Sequence, residues 1–96
     1  MSLSLDDALT MAPDVMFRNL NDEAVLLDLK NGTYFGLNDI GTRIWELILE
    51  HGSLSQVRDL ILQEFDVDRE AVERDLLALA GQLVERQLAV AKSHGG

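Results

Sequence analysis

The spacing of the hydrophobic residues changes at Asn38, and this change constrains the fold more than any other feature of the chain. Before Asn38, short apolar segments alternate with polar residues and are separated by turn signals, which is typical of strands. After Asn38, apolar residues recur every three to four positions, which is typical of amphipathic helices. Strands followed by helices predict a mixed α+β domain in which helices cover one face of a sheet.

The first part of the chain predicts a three-stranded antiparallel sheet over residues 15–18, 23–29 and 33–37, with turns at Asn21-Asp22 and Lys30-Asn31-Gly32. For the second turn we predict a three-residue loop that ends on Gly32 in the left-handed conformation and places Leu29 opposite Thr33. In this register one face carries Val25, Leu27, Leu29, Phe35 and Leu37, and the other carries Ala24, Leu26, Asp28, Tyr34 and Gly36. The first set is the larger and more apolar, so we expect it to face the core.

The second part predicts a three-helix bundle with Asn38, Ser53 and Asp68 as N-caps and Gly52 at the end of the first helix. The first helix is expected to bury Ile40, Ile44, Leu47 and Ile48, with Trp45 beside them. The third helix runs to about Gln87 and has two adjacent apolar lines, Val72-Leu76-Leu79-Leu83 and Leu77-Ala80-Val84-Leu88. Two lines exceed what one core contact needs, so part of this surface is expected to face something else.

The chain therefore divides into three predicted parts. Residues 1–12 are a flexible lead-in with a short helical tendency over residues 5–11, residues 13–91 are the folded domain, and residues 92–96 are a disordered tail. The short second helix, the long third helix and the sheet together predict a winged-helix-like arrangement in which the sheet takes the place of the wing.

Composition removes several classes of function. The net charge of −9 over 96 residues leaves no basic stripe for nucleic acid or for an anionic membrane surface. The chain has no cysteine, which excludes disulfides, thiolate nucleophiles and cysteine-based metal sites. The N-terminus lacks the basic front of a secretory signal and no apolar run approaches the length of a membrane span, so we expect a cytoplasmic protein.

We find no group of residues that predicts catalysis. The two histidines, His51 and His94, fall at a helix end and in the tail, and the glycines are too far apart to form a phosphate-binding loop. An enzyme needs a nucleophile, an acid or a metal with a supporting group. We therefore expect a protein that is not an enzyme and that has neither a cofactor nor a metal.

The hairpin and the first helix contain a composite motif. It consists of Leu26-Leu27-Asp28, Asn31-Gly32, Tyr34-Phe35, Leu37-Asn38, Gly41, Ile44-Trp45 and Leu47, and it continues in the third helix with Asp75-Leu76, Leu79, Leu83 and Leu88. Over about residues 14–90 this pattern resembles the PqqD family. The chain departs from that family at Ala80, where a larger apolar residue is commoner, and at Gln87, where the family usually has glycine.

The resemblance implies a peptide chaperone, also called a recognition element for ribosomally made, post-translationally modified peptides. Such a protein binds the leader of a precursor peptide and presents it to a modifying enzyme such as a radical-SAM protein or a peptidase, in pyrroloquinoline quinone biosynthesis or a related pathway. The leader is added as a strand to the third predicted strand, in a groove closed by the third helix. By match to the family, the peptide-binding residues are Thr33, Tyr34, Phe35, Gly36, Val72, Asp75, Leu76 and Leu79.

The residues support this independently only in part. Thr33–Leu37 contains no proline or lysine, the usual devices that block pairing at a sheet edge. Plainer interpretations stay open: Phe35, Leu76 and Leu79 as core residues, Asp75 as a solvated acid and Gly36 as relief of a crowded contact. Two other functions also stay open, a winged-helix DNA-binding regulator, which the charge disfavours, and a homodimeric interaction domain formed through the same edge.

Overall fold

The chain folds into five strands and three helices in a computed structural model that describes residues 3–21 and 23–92. The elements are β1 (Ala8–Met11), β2 (Val15–Leu20), β3 (Glu23–Asp28), β4 (Thr33–Leu37), α1 (Asp39–His51), α2 (Leu54–Glu64), α3 (Arg69–Glu85) and β5 (Ala89–Lys92). Strands β2, β3 and β4 form an antiparallel sheet in that order, followed by three helices. The predicted α+β class is therefore confirmed, while the winged-helix likeness stays a prediction.

A second sheet, which the sequence did not predict, joins the two ends of the fold. Strand β1 pairs antiparallel with β5, with Leu9 opposite Ala91. The side chain of Leu9 is 0% exposed, and its backbone N–H donates to the Gly52 carbonyl at 2.9 Å. The predicted helical tendency of residues 5–11 is wrong, because the backbone groups of β1 are satisfied by β5 and by the α1–α2 turn. Residues 1–2, 93–96 and Asp22 of the predicted segments lie outside the described residues.

The predicted register of the β3–β4 hairpin is wrong by one residue. Asp28, and not Leu29, is opposite Thr33, so the loop has four residues and ends on Gly32 at φ +71°. The shift turns Ala24 and Leu26 toward the helices and Val25 and Leu27 outward. The physical reason is the Asp28 carboxylate, which accepts hydrogen bonds from Lys30 N at 3.1 Å, Asn31 N at 3.2 Å and Asn31 Nδ2 at 2.8 Å.

The sheet continues directly into α1 through the predicted cap. The Asn38 side chain accepts a hydrogen bond from Gly41 N at 2.8 Å. A Cβ at Gly41 would lie 3.1 Å from Asn38 Oδ1, so glycine in this first turn is explained by the close approach of the cap. At the other end, Gly52 adopts φ +78° and donates to the Ile48 carbonyl, as predicted.

Ile40 differs from the prediction for α1. Ile44, Trp45, Leu47 and Ile48 are buried, but Ile40 is 39% exposed. Its position in the first turn, just after the sheet ends, places it at the rim of the core. The apolar surface of α1 therefore extends beyond the core at this end of the sheet.

Helices α1 and α2 are joined by an ion pair as well as by the core. Arg43 donates from Nε to Glu64 Oε1 at 2.7 Å and from Nη2 to Glu64 Oε2 at 2.9 Å. This hydrogen bonding holds the pKa of the Glu64 carboxyl below its ordinary value. Because both side chains are about one-third exposed, the pair contributes only about 0–1 kcal/mol.

The N-cap of α3 is Asp68, as predicted, and its carboxylate accepts a hydrogen bond from Ala71 N at 3.3 Å. Its buried line is Val72, Leu76, Ala80 and Leu83, while Leu77, Leu79 and Val84 are half-buried at its margins. The predicted first line is therefore wrong at one position, where Ala80 takes the place of Leu79 in the core. Leu79 is turned toward β4, so some of the surplus apolar surface does face away from the helix bundle.

The end of α3 is a Schellman motif with a glutamine in the position that favours glycine. Gln87 N donates to the Val84 carbonyl at 3.0 Å and Leu88 N donates to the Leu83 carbonyl at 2.8 Å. Gln87 has φ +62°, a conformation that an L-residue adopts at a cost of about 1–2 kcal/mol. This reversal directs the chain from α3 into β5.

We expect Gln87→Gly to raise the free energy of unfolding by about 0.5–1 kcal/mol, because glycine removes the strain at a modest cost in unfolded-chain entropy. Urea unfolding measures the change. Gln82→Gly, an exposed position inside α3, is the matched control and should lower the same quantity by about 1 kcal/mol. An equal decrease in the free energy of unfolding for the two variants would contradict the assignment of strain to Gln87.

One continuous core lies between the three helices, the β1–β5 pair and the face of the β2–β3–β4 sheet that carries Ala24, Leu26 and Leu37. Its fully buried side chains include Leu9, Leu26, Trp45, Leu47, Ile48, Leu54, Val57, Ile61, Leu76 and Leu83. The opposite face of the sheet is not part of this core. Strand β4 therefore has one face against the core and one face toward solvent.

Candidate functional site

Strand β4 lies at the edge of its sheet. The strand order is β2-β3-β4, and within residues 3–21 and 23–92 no strand pairs with the second side of β4. The edge has none of the features that usually prevent pairing, since it contains neither proline nor lysine and no bulge interrupts its register. An edge of this kind is a template for one further strand.

The hydrogen-bond pattern tells which backbone groups of β4 face this edge. Leu29 N donates to the Asp14 carbonyl at 2.9 Å, so residue 29 is directed toward β2. Because successive residues of a strand direct their N–H and C=O groups to opposite sides, Asp28, Leu26 and Ala24 are directed toward β4. Their partners are Thr33, Phe35 and Leu37. We infer that the N–H and C=O groups of Tyr34 and Gly36 point to the open edge.

The side chain of Tyr34 lies on the outer face of the sheet, and Gly36 occupies a position on the same face. Tyr34 is 73% exposed, and a Cβ at Gly36 would meet no atom within 4 Å. The interpretation of Gly36 as relief of a crowded contact within the chain is therefore wrong. A glycine at an open edge leaves room for a second backbone to approach.

A groove separates the core side of β4 from α3. Its volume is about 350 Å³, and its lining includes Phe35, Gly36 and Leu37 from the strand and Asp75, Leu79 and Gln82 from the helix. Ile40 and Ile44 line its end and also line a smaller apolar cavity of about 80 Å³ that reaches Val72. The open backbone edge and this partly apolar groove run side by side.

The residues predicted for the helical wall separate into two groups. Asp75 and Leu79 line the groove, whereas Leu76 is 0% exposed and belongs to the core. Val72 is also buried and borders only the smaller cavity. Of the strand residues, Tyr34 and Gly36 offer backbone groups to the edge, while those of Thr33 and Phe35 are directed toward β3.

Among the groove residues that the sequence analysis missed are Ile40 and Gln82. It also missed Arg86, which does not line the groove but contacts Phe35, a residue that does. Ile40 was assigned to the core because its position fits the helical period. The Arg86 guanidinium lies over the Phe35 ring, 5.2 Å from the ring centroid. Residues 75, 79, 82 and 86 follow the three-to-four spacing of one helix face, and that signal is present in the sequence.

The turn before β4 is held by Asp28. The Asn31 side-chain amide, more than any other group, holds the pKa of the Asp28 carboxyl below its ordinary value, and the backbone N–H groups of residues 30 and 31 act in the same direction. A lowered carboxyl pKa means that the charged form is the one the fold favours. This contribution is therefore present at neutral pH and is lost as the pH falls through the lowered pKa.

Other kinds of site find no support in the part of the chain that the structure describes. No group of three His, Asp or Glu side chains there could hold a metal ion. None of the helices in residues 3–21 and 23–92 combines the length and the apolar character that a membrane crossing needs. The groove beside β4 joins unpaired backbone to apolar surface.

Comparison with known proteins gives one family match and two similar solved structures. The family model for PqqD, coenzyme PQQ synthesis protein D, matches residues 23–89. A solved structure described as TbiB1 in complex with the TbiA(beta) leader peptide is 40% identical and has a TM-score of 0.78, covering 83% of this chain and 93% of that chain. A lasso peptide synthetase B1 complexed with the leader peptide is 30% identical with a TM-score of 0.78, covering 86% and 98%. No curated protein matches the chain. The family match spans most of the domain and includes both β4 and α3, and the chain belongs to the PqqD family.

Proposed function

We propose that this protein binds the leader of a ribosomally made precursor peptide as an additional strand on β4 and presents it to a modifying enzyme. The observation that carries the proposal is the open edge of β4 beside the groove under α3. The two solved relatives support it, because both are complexes with a leader peptide. We propose no catalytic role for the chain itself.

The geometry favours Tyr34 and Gly36 as the pairing residues. Each directs one N–H and one C=O to the edge, so a leader strand forms up to about four main-chain hydrogen bonds there. At about 0.5–1.5 kcal/mol each, with one or two apolar anchors in the groove at about 1.5–3 kcal/mol each, and with the cost of association subtracted, dissociation constants between micromolar and tens of nanomolar are expected. Such affinities allow the leader to be released after modification.

The proposal extends to the pathway and to the partner enzyme. One solved relative is a lasso peptide synthetase B1, and this likeness favours a lasso-type precursor over a pyrroloquinoline quinone precursor. The partner enzyme is then a peptidase or a radical-SAM protein that acts on the bound precursor. The leader would reach the enzyme already extended, because strand pairing fixes its backbone.

Titration of the ¹⁵N-labelled protein with synthetic TbiA(beta) leader peptide tests the site. We expect amide shifts in residues 33–37 and along the groove face of α3, and slower hydrogen exchange at Tyr34 and Gly36, whose N–H groups become paired. A scrambled peptide of the same composition is the control. Shifts confined to the β1–β5 sheet or to the free edge of β2 would contradict the proposal.

A homodimer through the same edge predicts a different result. In that case the peptide-free protein elutes as a dimer in size exclusion, and the leader peptide converts it to a monomeric complex. If β4 is free, as we propose, the elution volume without peptide corresponds to a monomer.

A further inference from the structure

Two opposite charges, Asp75 and Arg86, lie on either side of Leu79 along the α3 side of the groove. Asp75 lies at the end formed by Ile40 and Ile44, beyond the last residues of β4. Arg86, the C-cap residue of α3, does not line the groove itself, but its guanidinium lies over the ring of Phe35, which does. The half-buried Leu79 lies between them, so an extended chain in the groove would pass an acid, an apolar side chain and a base in turn.

Neither charge is strongly neutralised by the chain. The contact of Asp75 with Arg74 measures 3.7 Å, and both side chains are exposed, 73% and 75% respectively. Within residues 3–21 and 23–92, no carboxylate forms an ion pair with Arg86. Stacking of a guanidinium on an aromatic face leaves its edge N–H groups available for a carboxylate.

The spacing of the two charges fixes a spacing in the bound peptide. Asp75 lies within α3 and Arg86 is the C-cap residue eleven positions later, which corresponds to about 16 Å along the helix axis. An extended strand covers that distance in about five residues. Side chains of a strand alternate between its faces, so two that both point toward α3 are an even number of positions apart. Four or six positions satisfy both conditions.

The direction follows from the pairing. Antiparallel pairing is the more stable arrangement, and it places the N-terminal part of a peptide beside the C-terminal end of β4. That end is the one next to Asp75. The C-terminal part of the peptide then lies near Phe35 and Arg86.

We propose that this groove selects leaders in which a lysine or arginine precedes an aspartate or glutamate by four or six residues, with the basic residue at Asp75 and the acidic residue at Arg86. This inference rests on the proposed function, since it assumes a strand added to β4. The charges determine which peptides bind and in which direction they lie, while the backbone edge supplies binding common to all of them.

Selection of a phage-displayed library of random 16-residue peptides tests the proposal. One target is the natural chain, and the other carries Asp75→Lys and Arg86→Glu together, which reverses both charges without changing the net charge. Thermal unfolding checks that the reversed variant is folded. A third target, Gly36→Pro, identifies the peptides that depend on the β4 edge.

We expect the natural chain to enrich peptides with the basic residue first and the reversed variant to enrich the opposite order. For one enriched synthetic peptide, Asp75→Lys alone should weaken binding about two- to fivefold at low salt and much less at 1 M salt. If the enriched peptides require Gly36 but show no preferred order of basic and acidic residues, this inference is wrong and the proposed function is still supported. If no enriched peptide depends on Gly36, both this inference and the proposed function are contradicted.

Discussion

Gly36→Pro is expected to weaken leader binding at least about 30-fold while the domain stays folded. The variant removes an N–H that we assign to the open edge and places a ring where the incoming backbone approaches. The loss of one hydrogen bond and the unpaired acceptor left on the peptide together correspond to about 2–4 kcal/mol, and each 1.4 kcal/mol is a tenfold change in affinity. Because the N–H of Gly36 does not pair with β3, the hairpin itself is retained.

Asn19→Pro is the matched control for this variant. By the same alternation, the N–H of Asn19 points away from β3 at the opposite edge of the sheet. Both variants therefore introduce proline at an outward position of an edge strand. Isothermal titration with the TbiA(beta) leader peptide should give natural affinity for Asn19→Pro and a large loss for Gly36→Pro, and thermal unfolding should show that both are folded.

N-methylation of the leader tests strand addition without changing the protein. Methyl groups placed at successive backbone nitrogens of the peptide should weaken binding at every second position, because only alternate N–H groups of an added strand face β4. Uniform effects along the peptide, together with equal binding by the two proline variants, would rule out strand addition.

Leu9→Ala is expected to lower the free energy of unfolding by about 2–5 kcal/mol. Leu9 lies in the β1–β5 pair beside the α1–α2 turn, and its side chain is 0% exposed. The cavity that the substitution creates is therefore closed to solvent. For a domain with a total stability of about 5–15 kcal/mol, this is a large fraction. The urea midpoint should fall with little change in the slope of the transition.

Leu20→Ala provides the comparison. Leu20 is 60% exposed at the end of β2, so the same substitution should cost no more than about 0.5 kcal/mol. The pair of variants also tests whether the segment before Pro13 belongs to the folded domain. If residues 1–12 were the flexible lead-in that the sequence predicts, the two substitutions would have equally small effects.

The local features of the fold were predictable because their signals are local. Asn38 and Asp68 cap the helices expected of them, and Gly52 ends α1, since capping depends on side chains within a few residues of the helix end. The resemblance to the PqqD family was likewise contained in residues of the hairpin and helices, and the family match confirms it. The pairing of β4 with the hairpin strand before it also followed from the turn signal alone.

The hairpin register shows where local reasoning ended. The larger apolar residues, Val25 and Leu27, predicted the core face, but the core uses Ala24 and Leu26. The hydrophobic pattern alone does not decide between the faces. The choice depends on how closely α1 approaches the sheet and on the use of the Asp28 carboxylate inside the turn.

The residues around the groove are likewise decided by tertiary packing. The sequence identified Asp75 and Leu79 but assigned Ile40 to the core and overlooked Gln82 and Arg86, because which face of a helix opposes a strand is set by the packing of the whole bundle.

By itself, then, the sequence determined the class of fold, the caps of the helices and the family, all of which are contained in patterns along the chain. The tertiary structure alone decided that β1 pairs with β5, which face of β3 is buried and which side chains surround the groove. These features depend on contacts between segments as far apart as residues 8 and 92. Such contacts form only where the surface of one segment fits another, and periodicity along the chain contains no information about that fit.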